Sequence, residues 1–192
     1  METFTEPRAL IAQPAFVGDR REALRLLDLE AIDPPIVDIV TTFAEIPHVF
    51  TIQCCVGHFV CGSGQDAHTL SPIPGDYAGP VRYRIAYVAF CLEPSERGRA
   101  LYDVMARVPQ VDPGYIQFGS ATWFWDRWPN SYALQVEPAA FQFQDEAILD
   151  SEQARRTAAA RDAFFARLRT LLADERRRHR DLIRAAFHSS CP

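Results

Sequence analysis

The chain has 192 residues, 48% of them hydrophobic and 23% charged, with 25 acids against 20 bases. That balance excludes disordered, collagen-like and coiled-coil compositions and fits one globular domain. All 20 bases are Arg, so Walker-type ATP binding, pyridoxal phosphate chemistry and lysine aldolase chemistry have no lysine to use.

The early chain reads as helical. Asp19 with Glu22 three residues on makes a capping-box pattern, followed by Ala23, Leu26 and Leu27. Asp33-Pro34 predicts a second helix, with Asp as N-cap and Ile36, Val37, Val40, Phe43 and Ala44 on one face until Pro47. Residues 48–56 read as a strand ending at Gly57, and 62–80 as a long polar loop of the kind that serves as a lid or binding loop. Residues 82–92 read as one apolar strand, and Ser95 or Glu96 opens a helix to about Val108. Residues 115–125 and 131–137 form a strand pair expected to be an antiparallel hairpin. A long helix starts near Asp150, with Gln153 as capping partner, and runs to about Phe187. Its stripe is Phe164, Phe165, Leu168, Leu171, Leu172, Leu182, Ile183 and Ala186.

The predicted fold class is therefore α+β, with an antiparallel or mixed sheet of about four strands, packed helices and a long C-terminal helix. Residues 1–150 form the body. Residues 151–192 form a helix and tail that pack on the body or on a second copy as a homodimer. The body carries 20 acids against 10 Arg, and the tail 5 against 10. An acidic body favours a small molecule or nucleotide over a large RNA. No apolar run suits a membrane span, and five cysteines without a pairing pattern suggest a reduced, cytoplasmic protein.

Residues 54–61, Cys-Cys-Val-Gly-His-Phe-Val-Cys, carry the chemistry. Cys55, His58 and Cys61 are spaced three apart, with Cys54 adjacent and His68 in the loop, and zinc accepts thiolate and imidazole. The usual paired Cys-x-x-Cys knuckles are missing, so no residue is assigned to a metal. A structural zinc domain stays an alternative. A thiol beside an imidazole can also act as a nucleophile, with His68, Asp66 or Asp126 orienting the ring. The third reading is a ligand-binding turn at Gly57, and the fourth is an ordinary strand end with buried cysteines. The residues expected to matter are Cys55 and His58 as catalytic groups and Thr51, Cys54 and Gly57 as ligand contacts. Trp123 and Trp125 are expected to form a stacking wall, with Trp128 nearby. Gly119 suggests a bulge.

The stretch Arg21–Val60 resembles the first part of the tRNA wybutosine-synthesis methyltransferase family, marked by Ser-Cys-Ser-Gly-Arg. The matching pieces are Ile36-Val37-Asp38-Ile39-Val40, Phe50-Thr51-Ile52-Gln53 and Cys54-Cys55-Val56-Gly57-His58. Cys55 and Gly57 match, Cys54 and Val56 replace the two Ser, and His58 replaces the Arg. The chain is also similar to uncharacterised bacterial proteins with a Ser-Cys-x-Gly-His motif and a later Tyr-Val-x-Phe strand, here Tyr87-Val88-Ala89-Phe90. The resemblance implies S-adenosylmethionine as cofactor and a site at the Cys54–His58 strand end, and His58 is the plausible base among the chain's own residues there. Without the family's Arg and Ser residues, a non-enzymatic binding or dimerisation module is the alternative.

Overall fold

The computed structural model describes residues 6–138 and 145–188. The side chains of the predicted stripe residues Ile183 and Ala186 and of the fifth cysteine, Cys191, lie outside those described, and the last helix ends at His188, next to the expected end at Phe187. The elements in chain order are α1 (Phe16–Arg25), α2 (Val37–Glu45), β1 (Val49–Cys55), β2 (His58–Cys61), β3 (Val81–Arg84), β4 (Ala86–Leu92), α3 (Glu96–Met105), β5 (Ile116–Ser120), α4 (Thr122–Trp125), β6 (Ser131–Val136), β7 (Glu146–Leu149) and α5 (Ser151–His188). Tight 3-10 turns at Leu29–Ala31 and Pro34–Ile36 join α1 to α2.

The fold is α+β and every strand pair is antiparallel. One sheet has the order β1-β4-β6-β5 and a second has the order β2-β3-β7. The β5–β6 hairpin forms as expected. Alternation along the strands sorts the faces. Val88, Phe90 and Leu92 of β4, with Tyr132, Leu134 and Val136 of β6, face a core shared with Phe43 of α2, Leu101 and Met105 of α3, and Phe164, Leu168 and Leu172 of α5. Each fully buried side chain of this size stabilises by about 1.5–3 kcal/mol. The opposite face carries Ala89 and Ala133 under α4, and Phe50 and Cys91 under Phe16 of α1. β4 and β6 are thus covered on both faces, so they read as continuous apolar runs.

Several elements depart from the expected bounds. Residues 82–92 are two strands in different sheets, with the break at Ile85, whose amide bonds to the Asp145 carbonyl. Tyr83 secures the break: its hydroxyl donates to the Val136 carbonyl (2.7 Å) and accepts from the Ala86 amide (2.9 Å). Residues 115–125 stop being a strand at Ser120, and Trp123 and Trp125 sit on the short helix α4. Gly119 pairs in regular register with Ala133, and the irregularity lies in β1, between Thr51 and Gln53. α1 starts at Phe16 with Ala15 at its N-cap, so the Asp19 cap does not form. The buried Phe16 ring packs on Phe50 (5.6 Å), and this anchor outweighs the local capping signal. The Asp150–Gln153 box does form, each side chain accepting from the other's backbone amide. β2 and β7 carried too few residues to stand out in the sequence.

The Phe164–Leu172 part of the α5 stripe is buried against the body's own core, and Leu182 is exposed. Among the described residues, no helix is long and apolar enough to cross a membrane.

Candidate functional site

The chain leaves β1 at Cys55, turns at Gly57 and enters β2 at His58, passing from one sheet to the other. Gly57 has φ +81°, and a Cβ there would sit 2.7 Å from the Ala86 Cβ and 3.0 Å from its backbone nitrogen. Only glycine allows this turn without strain. Its amide donates to Cys55 Sγ (3.4 Å), and its carbonyl accepts from Arg161 of α5 (3.3 Å).

His58 is 1% exposed. Its Nδ1 lies 3.1 Å from the Thr69 carbonyl, which can only accept. That contact puts a proton on Nδ1 and turns Nε2 toward Asp33. Nε2 is buried, has no hydrogen-bond partner, and lies 3.6 Å from Asp33 Oδ2. The His68 ring meets the His58 ring edge-on at 5.4 Å.

Asp33 was expected as a helix cap, but its side chain makes no cap hydrogen bond. It accepts instead from the Val56 amide (2.9 Å), tying the segment before α2 to the end of β1. Asp33, Cys55 and His58 offer an oxygen, a sulfur and a nitrogen that all lie within 4.8 Å of one another. Sequence reading missed Asp33 because Asp-Pro has a sufficient local explanation as a helix start. The 23-residue separation from Val56 left no spacing signal.

The thiols here are not activated by their surroundings. Burial pushes Cys54 up to about 12, with Asp33 adding to the effect. Burial also raises Cys55, and the Gly57 amide offsets this only in part. A thiolate at Cys55 therefore needs an added positive charge beside it.

β1 is an edge strand, and its outer side borders a groove of about 560 Å³. α1 and residues 28–33 form the far wall, with Leu26, Leu27 and Ile32. Thr51–Cys54 form the floor, and Arg127 and Trp128 close one end. Arg127 lies 4.2 Å over the Trp128 ring. At the two ends of the strand edge, Arg20 donates to the Val49 carbonyl (3.1 Å) and Asp33 accepts from the Val56 amide. Thr51 Oγ1 is buried and unpartnered. Four carboxylates (Asp19, Glu22, Asp28 and Asp33) line the groove against a single guanidinium, Arg127.

Of the expected ligand contacts, Thr51 and Cys54 line this groove, while Cys55, Gly57 and His58 are not among its lining residues. Trp123 packs with Phe124 beside Ala89 and Ala133, and Trp125 is buried edge-on to Tyr132 (5.8 Å). Trp128 is the tryptophan in the groove. The 62–80 loop lies elsewhere: its residues Thr69–Ile73 border a second cleft of about 530 Å³ against α5. Arg155 holds the loop by donating to the carbonyls of Pro74, Gly75 and Tyr77. Cys61 uses its amide to bond Gln65 and does not join Cys55 and His58.

No family model and no curated protein matches the sequence. Among solved structures, the PH1069 protein from Pyrococcus horikoshii is similar with a TM-score of 0.47 and 11% identity, over 83% of this chain and 95% of that one. A likeness this loose carries no argument about function.

Proposed function

We propose that the protein binds a small, net-cationic adenosyl ligand in the groove along β1, and that this ligand is S-adenosylmethionine, used for methyl transfer to a nucleotide or small molecule. The observation that carries the reading is the groove's make-up. An edge strand presents free backbone donors and acceptors, which suit a base edge. Trp128, with Arg127 over its ring, closes one end of the groove, and the volume is within the range of small-molecule sites.

Charge separates the ligand classes. Glu22 is paired with Arg25 (2.6 Å), and the remaining carboxylates, Asp19, Asp28 and Asp33, against Arg127 still disfavour phosphates, so nucleoside triphosphates and an RNA backbone fit poorly. S-adenosylmethionine has a sulfonium and an ammonium against one carboxylate. The acidic wall matches the two cations, and Arg127 matches the carboxylate. When bound, this cofactor supplies an electrophilic methyl group. The Thr51–Cys54 edge and Trp128 would hold the adenosyl part. His58 lies behind Asp33, buried and outside the groove's lining, so the reading gives it no direct contact with the ligand.

Four free thiols among the described residues suit a reducing, cytoplasmic setting. The Phe164–Leu172 part of the α5 stripe packs within the chain, while Leu182 is 50% exposed, so a second copy would have only the far end of the helix to cover.

The test is thermal-shift titration of wild type and Thr51→Val with S-adenosylmethionine, S-adenosylhomocysteine and ATP. At a hundred times the dissociation constant, binding adds about 2.7 kcal/mol. For a chain of this size, that is a shift of about 5–11 °C. The adenosyl ligands are expected to shift wild type, with a smaller shift in Thr51→Val and little from ATP. No shift at millimolar adenosyl ligand overturns the reading.

A further inference from the structure

We propose that Asp33, Cys55 and His58 form a zinc site with three protein ligands. The site adjoins the β1 groove and shares Asp33 with its lining, but Cys55 and His58 lie outside that lining.

Three independent features converge on it. The first is the orphaned nitrogen. His58 Nε2 is fully buried and without a hydrogen-bond partner, yet it faces a carboxylate and a thiol. A buried polar atom left in this state costs free energy, and native structures rarely leave one. The second is the hydrogen bond on the other side of the ring. Nδ1–H donates to a main-chain carbonyl, the outer-shell arrangement that orients a metal-binding imidazole and presents Nε2 as the ligand. The third is spacing. A His–Asp ion pair with a proton between its atoms closes to about 2.7–2.9 Å. Here the separation is 3.6 Å. Two ligand atoms on a tetrahedral zinc, with bonds near 2.0–2.2 Å, stand about 3.4 Å apart. The pair is therefore too far apart for a hydrogen bond and close to the spacing across an ion. The sulfur needs at most about an ångström of adjustment to reach its own position, given a Zn–S bond of about 2.3 Å.

The donor set selects the metal. One sulfur, one imidazole nitrogen and one carboxylate oxygen suit a borderline-soft divalent ion, and they disfavour magnesium and calcium, which take oxygen ligands. Three protein ligands leave one coordination position free, the form of a zinc site that can hold water or another small ligand. The ligands come from three places: the segment before α2, the end of β1 and the start of β2. An ion here pins the turn between the two sheets and one end of the groove. It also occupies Nε2, so a metal-loaded His58 is a ligand and not a proton acceptor.

The experiment uses the full chain and needs no organic ligand. Purified protein is assayed for metal, stripped with chelator, and titrated with Zn²⁺ and with Co²⁺ as a coloured probe. The expected result is one zinc per chain, and a cobalt form with a near-ultraviolet thiolate-to-metal charge-transfer band. Cys55→Ser should lose that band. Asp33→Asn and His58→Gln should each weaken zinc by about tenfold or more, equivalent to about 1.4 kcal/mol. Cys61→Ser should keep both band and affinity. Far-UV circular dichroism identifies any variant that fails to fold, and the wild-type titration decides the matter in that case. Wild-type protein that takes up neither ion overturns the proposal. So does a cobalt band that survives in Cys55→Ser or disappears in Cys61→Ser. Loss of adenosyl binding with zinc retained, or the reverse, separates this site from the groove.

Discussion

Replacing Gly57 by alanine is expected to destabilise the fold far more than the same change at Gly62. Both glycines have positive φ, +81° and +92°. A left-handed conformation costs an L-residue about 1–2 kcal/mol. At Gly62 nothing lies within 4 Å of the added Cβ, so that backbone term is the whole cost. At Gly57 the Cβ would stand 2.7 Å from the Ala86 Cβ and 3.0 Å from its nitrogen. β4 is held between β1 and β6, so Ala86 has little room to retreat. Forcing a methyl group into packed space adds about 1–3 kcal/mol. The total for Gly57→Ala is about 2–5 kcal/mol, or about 4–20 °C in melting temperature for a chain of this size. Urea denaturation followed by circular dichroism measures both variants. A Gly57→Ala protein no less stable than Gly62→Ala would refute the close approach of β1, β2 and β4 on which the site depends.

Other expectations follow from single contacts. Tyr83→Phe leaves the Val136 carbonyl and the Ala86 amide without their partner in a buried place, and should cost about 2–4 kcal/mol in denaturant unfolding. The His48 imidazole, 3.3 Å away, holds the Glu175 carboxyl below its ordinary value against the opposing effect of burial. Because the folded carboxyl titrates lower than the unfolded one, its stabilisation is complete above the unfolded value of roughly 4.3 and is lost as pH falls through the folded value. Melting temperature should therefore drop more steeply on acidification below that range in wild type than in Glu175→Gln. Equal slopes would remove the pair's role. Arg155→Ala releases three loop carbonyls and should speed limited proteolysis within 69–80, while global stability changes by less than about 1 kcal/mol.

The longer helices and the main sheet were legible because their signals are local. Asp150 and Gln153 cap α5 as their spacing suggests, and the β5–β6 pair shows two apolar runs around a turn. The change of sheet at Ile85 was not legible. Val81–Leu92 is apolar throughout apart from its two Arg, and the break depends on a hydroxyl reaching a strand 53 residues away. Trp123 and Trp125 alternate as a strand would, yet the chain turns helical after Ser120. In the candidate site, the Cys-x-Gly-His pattern falls on the turn between the two sheets. It could not reveal the role of the Asp33 side chain, whose partners at Val56 and His58 are distant in sequence, or the edge position of β1, which depends on the sheet order.

The central claim is that the acidic groove along β1 takes a cationic adenosyl ligand. Equilibrium titration by calorimetry, with S-adenosylmethionine and ATP measured side by side at the same ionic strength, tests it most directly. The account predicts saturable one-to-one binding of S-adenosylmethionine, weakened in Thr51→Val, and binding of ATP weaker by at least about tenfold, a difference of about 1.4 kcal/mol. ATP binding as tightly as S-adenosylmethionine, or no heat from either ligand, would contradict it.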